Sequence, residues 1–151
     1  VGAHNIEFVQ GNIEKLPLPN ACVDVVLSNC VINFAKKKQQ VMSEAYRVLA
    51  PGGRFVVSDI VLYGALPSEK YAQPLERITG CTNGIELVDM YRQHLLDAGF
   101  SQVEIESKTL YTLDVLQEKA QRKDRMAFFE ALENNPELDA LSGSVIITAV
   151  K

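Results

Sequence analysis

The sequence predicts an α/β domain: the second half of a doubly wound sheet, with an antiparallel strand pair at its C-terminal end. Three observations lead there. Residues 22–27 (CVDVVL) and 54–62 (RFVVSDIVL) are short, valine-rich runs, the pattern of strands covered on both faces. Between them, residues 37–49 place Val41, Ala45 and Val48 at i, i+4 and i+7, an apolar helical stripe, so strand, helix and strand follow one another. Residues 103–111 and 144–150 then read as two strands that pair antiparallel and close one edge of the sheet.

Taken in order, residues 5–9 (NIEFV) alternate well enough for a short strand. The Leu16-Pro17-Leu18-Pro19 stretch is a rigid extended connection, because proline fixes its own φ and restricts its predecessor. The valine-rich strand at 22–27 reads as the central one. Pro51-Gly52-Gly53 stops the helix that follows it. Residues 64–84 show no clean period and are expected to form a loop with a short helix at 68–71. A second helix is expected at 86–98, with Asn83 and Glu86 spaced as a capping box and Gly99 at its end. Residues 112–143 form a charged, helix-prone insert between the last two strands, broken at Asn134-Asn135-Pro136.

Bulk properties narrow the function classes. Apolar residues make up 47% and charged residues 23%, as in ordinary globular domains, and the net charge is −4. That balance argues against nucleic acid or an anionic membrane as the main partner, since both favour basic patches. There is no apolar run of 18 residues and no signal-peptide pattern, and the three cysteines fit neither a disulfide framework nor a zinc knuckle. The expected setting is a reducing cytoplasm.

The chemistry-bearing residues collect where the first valine-rich strand ends. Ser28, Asn29 and Cys30 follow one another there, with Asn33 three residues on. In open α/β sheets, ligands bind outside the carboxyl ends of the strands. Cys81 lies in a glycine-flanked loop, Gly80-Cys81-Thr82-Asn83-Gly84, that can fold over that end. The competing reading is that both cysteines are small buried hydrophobes, as cysteines often are. Cys22, at a strand start, reads as buried packing. His4 and His94 show no partner and read as surface residues and Lys36-Lys37-Lys38 as a solvated helix start; Asp59, ending the second strand, either faces the site or caps the loop, and the cap is the preferred reading.

Three segments carry a family resemblance: Gly11-Asn12-Ile13-Glu14-Lys15-Leu16-Pro17, Asp24-Val25-Val26-Leu27-Ser28-Asn29, and Glu44-Ala45-Tyr46-Arg47-Val48-Leu49-Ala50-Pro51-Gly52-Gly53. Together they resemble the later motifs of class I S-adenosylmethionine-dependent methyltransferases. Ser28-Asn29-Cys30-Val31-Ile32-Asn33 and the Cys81 loop look, more narrowly, like the arsenite methyltransferases. The resemblance implies a Rossmann-like methyltransferase sheet, S-adenosylmethionine as cofactor, and a small trivalent arsenical, free or thiol-conjugated, as substrate. It implies that Cys30 and Cys81 hold arsenic as thiolates, and that Asn12, Ile13 and Asn29 meet the cofactor. Soft trivalent arsenic suits thiolate ligands. The family's usual Asp stands as Asn12 here, an amide whose carbonyl oxygen still accepts.

The sequence also departs from the family. It holds no G-x-G-x-x-G turn, so the chain reads as a truncated domain that binds cofactor weakly by itself. With one neighbour of the central strand missing, its open edge is expected to be covered by a second copy. A methyltransferase acting on an organic small molecule, and a non-catalytic module of the same fold, stay open as alternatives.

Overall fold

The computed structural model describes residues 4–63, 84–111 and 142–151. Among them lie four strands, β1 (Val23–Asn29), β2 (Leu49–Leu62), β3 (Ser101–Tyr111) and β4 (Ser142–Val150), with helices α1 (Lys38–Val48) and α2 (Val88–Asp97). A short 3₁₀ turn, Ile32–Phe34, links β1 to α1. The sheet order is β1-β2-β4-β3. β1 and β2 are parallel, and β4 runs antiparallel to both β2 and β3. The expected antiparallel C-terminal pair is therefore present. Its second strand does not close the edge, however; β4 is inserted between β2 and β3, and β3 takes the outer position.

The core forms where α1 and α2 cover one face of this sheet. Val41, Met42 and Ala45 of α1 and Tyr91 and Leu95 of α2 meet Phe55, Val57 and Val61 of β2 and Val145, Ile147 and Ala149 of β4. The strand residues alternate, as a period of two requires when one face is packed. Phe100 joins strand to helix, stacked on Phe55 with ring centroids 5.7 Å apart and edge-on to Tyr46 at 5.1 Å. α2 ends as expected: Gly99 takes φ +103, and Phe100 N–H donates to the Leu95 carbonyl.

Several expectations fail for identifiable reasons. Residues 6–10 form no strand: Ile6, Phe8 and Val9 are exposed, Phe8 by 95%, because no strand edge pairs with them. β1 stands at the sheet edge, paired with β2 alone among the described residues, which is the open edge expected of it. Its outward residues Val25 and Leu27 are 43% and 75% exposed, so it is not covered on both faces. Of the expected Asn83–Glu86 capping box, only Glu86 is among the described residues. The cap position of α2 falls on Leu87, with no side-chain hydrogen bond, while Asn83 lies outside the described residues. Residues 64–83 and 112–141, with the short helix expected at 68–71 and nearly all of the insert, also lie outside them. Among the described residues no helix is long and apolar enough to cross a membrane.

Candidate functional site

β1 delivers its last residues to the edge of a cleft of about 250 Å³. Ile13, Leu16, Val26, Asn29, Val31 and Phe55 contribute to its largely apolar wall. Cys30 follows immediately. Its N–H donates to the Ser58 carbonyl at 2.9 Å, continuing the parallel ladder one step past β1. The residue sits at φ +55, in the left-handed region that side chains with a Cβ seldom enter. Its thiol lies 3.8 Å from Asn29 Oδ1.

The wall opposite is the turn at residues 11–16, held by long-range ties. Asn12 Oδ1 accepts from Glu14 N–H at 2.8 Å, and the Asn12 carbonyl from Lys15 N–H at 2.9 Å, which makes the turn self-supporting. Glu14 then reaches away: its Oε1 accepts the Lys36 and Lys37 N–H groups at 2.9 and 3.0 Å, just ahead of α1. No side chain of α1's own caps that end, so a carboxylate from the turn supplies acceptor and charge where a helix start favours both. From α1, Glu44 accepts the Leu16 N–H at 2.7 Å, and Arg47 donates to the Leu16 and Leu18 carbonyls, to Asn20 Oδ1 and to Glu44. The Arg47 guanidinium beside Glu44 holds that carboxyl below its usual range.

Beneath the Cys30 turn lies a buried polar cluster. Asn33, 2% exposed, donates through Nδ2 to Asp59 Oδ1 at 2.9 Å and to the Ile60 carbonyl at 3.0 Å. Tyr91 O–H donates to Asp59 Oδ2 at 3.3 Å. Asp59 is thus not a loop cap: it is 1% exposed, and burial pushes its carboxyl up to about 6. Burial likewise raises the Tyr91 phenol. Lys38 is buried and paired with Glu86 at 3.5 Å, not solvated. His94 is not a lone surface residue, since its ring meets Glu86 Oε2 at 3.1 Å and Gln39 Oε1 at 2.7 Å. Cys22 is exposed rather than packed, its thiol 3.1 Å from the Pro19 carbonyl.

Of the expected site residues, Ile13 and Asn29 line the cleft, while Asn12 and Cys30 are their chain neighbours and do not line it. Cys81 lies outside the described residues. The described chain resumes at Gly84, where a Cβ would come within 2.3 Å of the Asn33 carbonyl oxygen. Gly84 also has φ +99, so this close approach requires glycine twice over. Reading the sequence missed the Asn33–Asp59 pair and the Glu14 and Arg47 ties. A lone Asp inside an apolar strand was the one available signal for the first; nothing local marks the second.

A family model described as a methyltransferase domain matches residues 1–113. The chain belongs to that family. Its relatives include the arsenite methyltransferase of Halobacterium salinarum, 44% identical over 70% of this chain and 27% of that protein. Another is phosphoethanolamine N-methyltransferase 1 of Zea mays, 29% identical over 80% of this chain and 23% of that protein. Among solved structures, an arsenic(III) S-adenosylmethionine methyltransferase from Chlamydomonas reinhardtii superposes with a TM-score of 0.70 at 29% identity. That match covers 97% of this chain and 44% of that one. The chain thus spans about a quarter of the length of the curated relatives described here. Its sheet is that of the class I Rossmann-like methyltransferases.

Asp59 carries a pH signature. Its folded-state value of about 6 stands above the roughly 3.9 of an unfolded aspartate, so the folded chain binds the proton more tightly. Its contribution is most favourable below about pH 4, is lost as pH rises to about 6, and is level above that. Across that window the wild type should lose roughly 2–3 kcal/mol of unfolding free energy relative to Asp59→Asn. Urea titrations of both proteins at several pH values measure the difference.

Proposed function

We propose that this protein transfers a methyl group from S-adenosylmethionine to trivalent arsenic held by the thiolates of Cys30 and Cys81. The observation that carries the reading is the placement of Cys30. It directly follows β1 at the apolar cleft, beside a turn that matches the family's cofactor segment. The likeness to arsenite methyltransferases over 70% of the chain supports the same reading. So does the contact between Gly84 and Asn33, because each of those residues stands three positions after one of the two cysteines.

The residues present fit one part of the cofactor. The wall made by Ile13, Leu16 and Val31 is apolar and suits a flat ring. Asn12 Oδ1 uses one lone pair on Glu14 N–H and keeps a second for an amino group at the rim. Asn29 stands at the β1 end, where the amino-acid portion would lie. When bound, S-adenosylmethionine supplies an electrophilic methyl group. Trivalent arsenic brings its own lone pair and no proton, so the chain need not place a general base. The chain's task is to hold arsenic in position and keep water out. Thiolates do the holding because they are soft. An organic substrate that must lose a proton would need a placed base. Asp59, the buried carboxyl nearest the Cys30 turn, is committed to Asn33 and Tyr91.

A second copy is the proposed cover for the edge of β1. Among the described residues no strand pairs with that edge, beside which Val25 and Leu27 are exposed, the arrangement through which strands associate. Symmetric pairing satisfies both edges at once.

Three measurements check these readings. Phenylarsenite titration should show binding lost or strongly weakened in Cys30→Ser and Cys81→Ser and kept in Cys22→Ser; equal binding in all four proteins would overturn the thiolate assignment. Asn12→Leu should weaken S-adenosylhomocysteine binding by about 1–3 kcal/mol, the cost of an unsatisfied polar partner, and calorimetry reads it directly. Sedimentation of the 151-residue chain should show a dimer; a well-folded monomer contradicts the second-copy reading.

A further inference from the structure

Past Asn29 the chain leaves the sheet, yet it is still fastened to β2. Cys30 N–H donates to the carbonyl of Ser58. Asn33 Nδ2 bonds the carboxylate of Asp59 and the carbonyl of Ile60. Three consecutive β2 residues thereby hold the four-residue segment that begins with the thiol and ends with the amide. The thiol-bearing residue pays for a left-handed φ of +55, and such a backbone persists only where its surroundings over-determine it. The tie through Asn33 is the side-chain part of that determination. A carboxylate makes a strong acceptor for the amide, and a buried one is costly to leave without partners. Its other oxygen takes the Tyr91 hydroxyl, and Lys38 adds a favourable charge nearby. The cluster is therefore a fixed hub joining β2, α2 and the Cys30 turn.

We propose that Asp59, acting through Asn33, is a positioning residue that fixes the turn presenting the Cys30 thiol and so sets its geometry for a trivalent arsenical. This rests on the reading of Cys30 as an arsenic ligand. Chelation of arsenic demands a defined direction of the sulfur, whereas alkylation by a small reagent needs only an accessible thiol. The two reactions therefore separate positioning from loss of fold.

Phenylarsenite affinity, the iodoacetamide labelling rate at Cys30 and thermal unfolding are measured on wild type and variants. Asp59→Ala and Asn33→Ala should each lower phenylarsenite affinity by about tenfold or more, with labelling of Cys30 changed less than about threefold. The double variant should be no worse than either single one, because both act through one contact. Asp59→Asn should restore affinity, as its Oδ1 still accepts from Asn33. Tyr91→Phe removes only the hydroxyl on the far oxygen, so it should lower the Tm while keeping affinity. If the alanine variants do not fold, Asn33→Asp takes their place. With two facing carboxyls, that variant protein should bind phenylarsenite weakly at about pH 8 and recover relative to wild type near pH 5, where the carboxyls share a proton. Wild-type affinity in Asp59→Ala and Asn33→Ala, while Cys30→Ser binds nothing, overturns the positioning role alone. An equal loss in Tyr91→Phe overturns it too, since stability would then account for the effect. Unchanged binding in Cys30→Ser overturns the thiolate reading and this inference with it.

Discussion

The parallel pairing of β1 with β2 is the constraint on which the rest of the site depends. Parallel strands end on the same side, so the register that sets Asn29 against Ser58 also brings Cys30 and Asn33 beside Asp59 and Ile60. α1 makes that pairing feasible by carrying the chain back across the sheet while burying Val41, Met42 and Ala45. A hairpin in its place would have put the two carboxyl ends at opposite sides. The cluster of polar groups at one strand end is a consequence of chain direction before it is a consequence of any side chain.

The cleft's other wall is held by charge rather than by a strand. Residues 11–20 contribute few buried apolar atoms, and Glu14, Glu44 and Arg47 replace that packing with hydrogen bonds to backbone groups of the turn and of α1's start. Exposed ion pairs stabilise little by themselves. Arg47 is different in kind: its planar fork meets two backbone carbonyls, an amide oxygen and a carboxylate at once, a geometry a lysine cannot reproduce. The turn gains definition from partners that are about thirty residues distant in sequence. That is why Ile13 can face the cleft with a fixed backbone although it belongs to no regular element.

Burial divides the sheet unevenly. β2 and β4 are covered, while β1 leaves Val25 and Leu27 in contact with solvent. Uncovered apolar surface of this kind carries a free-energy cost of roughly 25 cal/mol per Å², which favours its association with another surface. On the covered side, the same low polarity makes the Asn33–Asp59–Tyr91 cluster rigid, because a buried donor or acceptor that loses its partner costs about 1–3 kcal/mol. Asn33 Oδ1 has no partner among the described residues, so the cluster is not fully satisfied even as it stands.

Local patterns carried much of this protein. The apolar stripe Val41–Ala45–Val48, the valine runs, the glycine that ends α2 and the thiol at a strand's carboxyl end are readable in sequence, because each depends on neighbours within a turn or two of chain. The methyltransferase motifs were legible for the same reason: they are short continuous segments. What the sequence could not show is who meets whom at a distance. Lys38 and His94 looked like solvent-facing residues, and only the packing of α1 against the segment leading into α2 supplies Glu86 to both. Asp59 looked like a loop cap, and only the β2–β4 ladder beyond it keeps the strand going and closes it from water. Residues 5–9 had the alternation of a strand, and the tertiary structure leaves them without an edge to join. Side-chain periodicity reports which face of an element is apolar; the partner that covers that face, or fails to, is set by contacts between segments tens of residues apart.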